Sequence, residues 1–303
     1  LLAINGDDAV LESMDPLNNP FYAVPFGQKL ATIAVIQMRY LGLLLWPRTL
    51  SYDYSIRQIP PRSLDDPLVW LSLLLLGGLL LLTLDGIRRR ALYGYGLLIY
   101  VAAITPVSNL LVNVGAPMGE RFLFLPSLGF LLALTDLARR GAKKLRQLGA
   151  WESPAQQVTI VAGALVVLLS LLGSGRTIAR NRDWATNETL FLADVKNAPN
   201  SAKTNKAAAG IWIERGAQEE NPERRIEDLE RAIVYLRRAI EIYPDYADAY
   251  LDLGMAYRLN GQSELAESVW NRFFGLCPES PLGPTLHRYL ADSYLDEGRR
   301  LAS

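Results

Sequence analysis

The sequence predicts an all-α protein in two parts, a polytopic transmembrane helical domain followed by an α-solenoid of paired helices. Three observations lead there. Half of the 303 residues are hydrophobic, and they crowd into the first 175 positions. Four stretches in that part are free of charge, apart from Asp136 near the end of one, over lengths close to a membrane's thickness. In the second part, small and aromatic residues recur at the spacing of stacked helix pairs.

The four stretches are Leu68–Leu84, Ala91–Val114, Phe122–Leu137 and Val158–Leu172, within a membrane domain taken as residues 1–175. Several run to about 16–18 residues, against the ~20 that cross the hydrocarbon untilted. A soluble core helix would account for any one of them, but not for four in succession. Segment Gln28–Trp46 is apolar yet carries Lys29, Gln37 and Arg39, so spanning, dipping in and lying in the interface all stay open. The chain opens without Met and without a charged leader, so upstream sequence is expected.

Charge sets the expected orientation. Arg88, Arg89 and Arg90 form one basic cluster, and Arg139, Arg140, Lys143, Lys144 and Arg146 form another. The positive-inside rule puts both on the cytoplasmic side. Alternation then puts the loop 48–67, the loop 115–121 and everything after Gly173 outside. Outside means a bacterial periplasm, with the chain in the inner membrane, or alternatively the lumen of the endoplasmic reticulum. Lys plus Arg equals Asp plus Glu at 31 each, so no basic excess points to nucleic acid. One cysteine, Cys277, and one histidine, His287, leave no set for a disulfide framework or a metal centre.

Two outer loops are too specific for plain connectors. One reads Trp46-Pro47-Arg48-Thr49-Leu50-Ser51-Tyr52-Asp53-Tyr54-Ser55-Ile56-Arg57 and continues to Ile59-Pro60. The other reads Pro117-Met118-Gly119-Glu120-Arg121-Phe122-Leu123-Phe124-Leu125-Pro126-Ser127. Glu120 and Arg121 sit at the membrane edge, where they are either a local salt bridge or part of a site. Asp53 between two tyrosines is either a turn residue or a pocket residue. Pro106, Ser108, Asn109 and Asn113 interrupt the second stretch, as a polar face packed on other helices.

The soluble half shows its repeat directly. Tyr250, Leu253, Gly254, Tyr257, Ala266, Trp270 and Pro278 match the 34-residue tetratricopeptide (TPR) pattern, with Tyr in place of its Trp and Trp in place of its Phe. Gly254 and Ala266 are small where two helices approach, the aromatics fill the space around them, and Pro278 stops the second helix. Ala232, Leu236, Ala239 and Pro244 mark a repeat over 201–244, whose turn is lengthened by residues including 218–225. A second repeat covers 247–280, and a partial third covers 284–303 with His287, Leu290, Ala291 and Tyr294 at packing positions. Truncation is expected here too. Residues 176–200 read as an interfacial linker carrying the sequon Asn187-Glu188-Thr189. Such an array offers a concave face to an acceptor protein or peptide.

The loops also carry a family resemblance. Arg48-Thr49-Leu50-Ser51-Tyr52-Asp53-Tyr54-Ser55 followed by Ile59-Pro60 resembles the "LSYDWS…IP" element of the transmembrane and TPR-containing (TMTC) proteins. Met118-Gly119-Glu120-Arg121-Phe122-Leu123-Phe124-Leu125-Pro126-Ser127-Leu128-Gly129 is similar to that family's "AERxLYxPSxG" element. Pro106-Val107-Ser108-Asn109-Leu110, and Arg180-Asn181 with Trp184, Glu188 and Leu190, also resemble family positions, and the resemblance runs from about Asn19 onward. It implies the C-terminal part of a GT-C-type glycosyltransferase membrane domain. Such an enzyme transfers mannose from a polyprenyl-phosphate donor to Ser or Thr hydroxyls on the exoplasmic side. The resemblance places the family's catalytic carboxylate upstream of residue 1, and Asp7-Asp8 does not match its surroundings. Arg121 is then the expected partner of the donor phosphate, with Glu120 either positioning it or binding a metal or a sugar hydroxyl, and Tyr52, Asp53, Tyr54 and Arg57 lining the same pocket. No cofactor beyond the lipid-linked sugar is expected. The competing expectation is a non-catalytic membrane anchor that displays TPRs as a scaffold.

Overall fold

A computed structural model describes residues 16–17, 21, 24–47, 49–147, 163, 171, 173–280 and 282–301. Among the described residues there are helices, turns and loops and no strand. The predicted stretch Val158–Leu172, apart from Gly163 and Leu171, lies outside them, as do Asp7-Asp8 and Arg48. The chain forms two compact units, Leu1–Tyr54 with Ile59–Trp184, and Ser55–Gln58 with Ala185–Ser303.

In the first unit α1 spans Phe26–Leu45, α2 Pro67–Arg88, α3 Leu92–Ile104 and α4 Phe124–Gln147. Helix α2 starts where Asp66 accepts a hydrogen bond from the Leu68 N–H and Pro67 takes the first helical position. That bond, and the Arg62 guanidinium after it, hold the Asp66 carboxyl below the usual carboxylate range. Two helical stretches, Pro67–Arg88 and Glu120–Gly141, are long and apolar enough to cross a membrane. Their outward faces are greasy: Leu74 and Leu81 on α2 are 72% and 69% exposed, and Phe124 on α4 is 88% exposed.

The segment read as helical from Ala91 to Val114 is shorter than predicted. Helix α3 ends at Ile104 and gives way to a 3-10 turn, Thr105–Val107. Pro106 withdraws a backbone donor there, and Asn109 takes a left-handed φ of 61° that no helix continues. Asn109 does not pack as part of a polar helix face. Its Nδ2 donates to Ala116 O at 2.8 Å and its Oδ1 accepts from Val114 N at 2.9 Å, which folds residues 109–116 into a closed loop.

Helices α2, α3 and α4 approach through glycines. A Cβ on Gly86 would lie 2.4 Å from Gly94 Cα, and one on Gly129 would lie 2.5 Å from the Gly96 carbonyl oxygen. Backbone-to-backbone contact of this kind is the usual way apolar helices associate without a hydrophobic drive between them. At the far end of α4, Asp136 is fully buried and accepts from Tyr93 N, Arg139 and Arg140.

The second unit is a stack of helix pairs. Helices α5 (Asn187–Asn197), α6 (Ala202–Gln218), α7 (Pro222–Ile242), α8 (Ala247–Leu259), α9 (Ser263–Leu276) and α10 (Gly283–Leu301) follow one another. The stretch read as a linker over 176–200 is largely helical. Thr186 and Thr189 form a reciprocal capping box at the start of α5. The residues inserted in the first repeat do not lengthen its turn, which is only 219–221. Asn221 caps α7 and Pro222 opens it, so the additional residues extend the two helices.

In the repeat from Ala247, Leu253, Gly254, Tyr257, Ala266 and Trp270 are buried and Tyr250 is half-buried. Trp270 is fully buried, and its Nε1 donates to Leu251 O at 3.0 Å. Pro278 is exposed just beyond the end of α9. In α10 the buried contact comes from Leu286, one position before the expected His287. His287 is exposed and stacks on Phe274, with ring centroids 5.2 Å apart. Ala291 and Tyr294 are exposed as well.

Candidate functional site

The two loops singled out in the sequence meet at one carboxylate oxygen. Glu120 stands at the start of a 3-10 turn, Glu120–Leu123, that leads into α4. Its Oε1 accepts the Ser51 N–H at 2.6 Å and the Tyr54 hydroxyl at 2.6 Å. Charge-assisted bonds of this length are the strong kind, and Glu120 is only partly exposed. Ser51 is itself held in place, its hydroxyl donating to Asp53 O at 3.0 Å. The second loop is fixed from the other side, where Gly119 N–H donates to the Tyr40 hydroxyl of α1 at 2.9 Å.

These bonds rest on an apolar floor. Tyr40, Tyr54, Ile59, Tyr100, Met118 and Leu123 are buried in one cluster with the core-facing residues of α1. The clasp therefore has buried aromatic walls and a polar rim. Tyr52 and Asp53 lie on that rim, each half-buried. Arg121 does not pair with Glu120. Its guanidinium lies over the Phe122 ring at 5.1 Å, is exposed, and makes no ion pair among the described residues. The salt-bridge alternative for Glu120 and Arg121 is thus not what the loop forms.

Arg57 is elsewhere. It belongs to the repeat unit, has a left-handed φ of 68°, and donates to Glu241 O at 3.2 Å. Its neighbours behave alike: the Ser55 and Ser201 hydroxyls share a 3.0 Å hydrogen bond, and Gln58 accepts from Asn200 N at 3.0 Å. Of the pocket candidates, the structure brings Tyr54 and Glu120 into direct contact, keeps Tyr52, Asp53 and Arg121 in the same unit, and holds Arg57 in the other.

Sequence reasoning passed over Tyr40 and the Ser51 N–H. A backbone donor has no sequence signal, but a tyrosine one turn before the end of an apolar helix was a visible cue. Among the described residues no group of three His, Cys, Asp or Glu side chains converges as a metal site. The arrangement presents a loop pair joined at one carboxylate, aromatic walls and an exposed guanidinium, a group that can donate forked hydrogen bonds to an anion.

The tetratricopeptide repeat family model matches residues 235–268. The chain is 28% identical over 230 residues to human protein O-mannosyl-transferase TMTC1, covering 74% of this chain and 24% of that protein. It is 25% identical over 296 residues to Drosophila melanogaster protein O-mannosyl-transferase Tmtc3, covering 94% of this chain and 29% of that protein. Mouse protein O-mannosyl-transferase TMTC4 is 33% identical over 172 residues, 53% of this chain and 21% of that protein. The chain thus spans about a quarter of the length of these relatives. No solved structure matches it.

Proposed function

We propose that this TMTC-like chain is the loop-and-repeat portion of a membrane glycosyltransferase that moves mannose from a polyprenyl-phosphate donor to Ser or Thr hydroxyls of proteins. The observation that carries the proposal is the Glu120 clasp. The two elements that resemble family motifs lie 66 residues apart in sequence, yet share one carboxylate oxygen. Their joining builds a specific surface, which a bare anchor has no reason to keep.

The chemistry divides among the residues as follows. The acceptor hydroxyl attacks the sugar's anomeric carbon, the bond from that carbon to the phosphate oxygen breaks, and a carboxylate takes the hydroxyl proton. The lipid phosphate leaves with added negative charge, which Arg121 stabilises by forked donation. Glu120 accepts two hydrogen bonds on one oxygen and acts as a positioning residue, holding the loop from which Arg121 projects. Tyr52 and Asp53 border the sugar.

The greasy faces of α2 and α4 favour a polytopic membrane domain, since their exposed leucines need apolar cover. The basic clusters Arg88–Arg90 and Arg139, Arg140, Lys143, Lys144 and Arg146 support a cytoplasmic side for those ends, and with it an exoplasmic side for the clasp and the repeats, in a bacterial periplasm or an endoplasmic reticulum lumen. The repeats hold the acceptor protein along helices α6 and α8. The test is the full-length protein in membranes with radiolabelled polyprenyl-phosphate mannose. Label on protein, lost in Arg121→Ala with insertion unchanged, is the expected result. Failure across a panel of lipid-linked sugars would give the lead to a non-catalytic scaffold.

A further inference from the structure

Helix α3 is too short for the membrane that α2 fits. The 22 residues of α2 rise about 33 Å, enough for a hydrocarbon layer of about 30 Å. The 13 residues of α3 and the three of its 3-10 turn rise only about 25 Å. The two helices are joined at Arg89–Ala91, and the Gly86 and Gly94 backbones touch beside that joint, so α3 starts level with the end of α2. Any tilt shortens its reach further. The loop 109–116 therefore begins about 5 Å short of the outer hydrocarbon boundary.

The loop is built for that depth. Irregular backbone in hydrocarbon is stable only where its polar groups find partners within the protein. Asn109 closes the loop through both ends of its amide. Ser108 Oγ accepts the Leu110 N–H at 3.2 Å and donates to Thr105 O at 2.6 Å. Asn113 Oδ1 accepts from Lys29 Nζ at 2.9 Å. The three residues between the asparagines, Leu110, Leu111 and Val112, are exposed, Leu111 to 71%. The loop thus ties up polar side chains and presents apolar ones, the reverse of a water-facing turn.

We propose that Leu110, Leu111 and Val112 insert into the outer leaflet and dock the end of α3 on lipid acyl chains. Acyl chains are the partner because the tip offers aliphatic side chains alone, at a depth where the exposed leucines of α2 also meet lipid. The loop runs directly into Pro117-Met118-Gly119, and the Gly119 N–H is held by Tyr40. Insertion therefore also sets the height of the Glu120 clasp against the membrane. The inference rests on the membrane reading of α2 to α4 above, and not on sugar transfer.

The experiment places the full-length protein in nanodiscs of a phosphatidylcholine with a diazirine in its acyl chain, irradiates it, and maps lipid adducts by mass spectrometry. Adducts are expected on Leu110–Val112 and on the exposed Leu74 and Leu81 of α2. In parallel, Leu111→Cys should react with a charged, membrane-impermeant maleimide about tenfold or more slowly than Glu230→Cys, at an exposed position of α7. Neither a thiolate nor a charged reagent enters hydrocarbon readily. Adducts on α2 with none on the loop overturn the proposal, whether water or another part of the protein covers the tip. Equal labelling of the two cysteine variants overturns it as well. Adducts on neither element would sink the membrane reading and this inference with it. Sugar transfer is not read, so its failure counts against the transferase reading alone.

Discussion

The Tyr54 hydroxyl donates to Glu120 Oε1 at 2.6 Å, and that one bond ties the loop after α1 to the turn that starts α4. The same oxygen takes the Ser51 N–H, so the two loops are stapled at two points by one side chain. Tyr54→Phe removes one donor and leaves the other, at a cost of about 1 kcal/mol. Glu120→Ala strands both donors in a partly buried place and should cost about 2–4 kcal/mol. The double variant should cost no more than Glu120→Ala alone, because Phe removes the hydroxyl that the alanine leaves stranded. Thermal unfolding of the four proteins in one detergent checks this, and simple additivity would contradict the staple.

Gly129 has a mechanical role that its place beside the second loop element conceals. A Cβ there would sit 2.5 Å from Gly96 O and 2.6 Å from Tyr100 N, both backbone atoms that cannot swing aside. Gly129→Ala must push α3 away from α4, at a cost of about 3 kcal/mol or more. Gly42→Ala on α1 meets nothing within 4 Å and should be neutral or mildly stabilising. Trypsin resistance and size-exclusion profiles of the two variants should differ sharply. Equal behaviour would mean that the helices are not in close backbone contact.

These two sites also mark what was legible in the sequence. The all-helical class, the helix pairs and the buried Gly254–Trp270 contact could be read because TPR packing is written in side-chain size at fixed spacing. The importance of Glu120 could be read from its charge at an apolar boundary. Its partners could not, because Ser51 contributes a backbone N–H and Tyr40 lies 79 residues from Gly119. The end of α3 was misjudged because apolar residues continue to Val114, while Pro106 and the left-handed Asn109 break the helix beneath that pattern. The turn of the first repeat was misjudged for the converse reason. Its polar residues resemble a loop, but Asn221-Pro222 opens a helix rather than prolonging a turn.

Two glycines of the second repeat separate steric from conformational cost. A Cβ on Gly254 would lie 2.1 Å from the Nε1 of the fully buried Trp270, a rigid ring with no room to move. Gly254→Ala should cost about 3 kcal/mol and displace the indole. Gly261 has open space around it but a φ of +75°, so Gly261→Ala should cost about 1 kcal/mol through backbone strain alone. Tryptophan fluorescence distinguishes them: an altered spectrum is expected for the first variant and an unchanged one for the second.

Asp252 carries a pH dependence whose direction follows from its setting. Burial in α8 pushes its carboxyl up from an ordinary value of 3.8, while Lys206, 3.1 Å away on α6, pulls it the other way without prevailing. The folded state therefore binds this proton more tightly than the unfolded chain does. At neutral pH the ionised group weakens the fold, and the penalty is relieved as pH falls through the raised folded value toward 3.8. Asp252→Asn removes the titration. It should raise the melting temperature at pH 7, and its advantage over the parent should shrink steadily between neutral pH and the ordinary carboxylate range. Lys206→Met beside an intact Asp252 should widen the neutral-pH gap, since the opposing cation is gone. An Asn variant less stable than the parent at pH 7 would show that the Lys206 ion pair outweighs burial and would reverse the assignment.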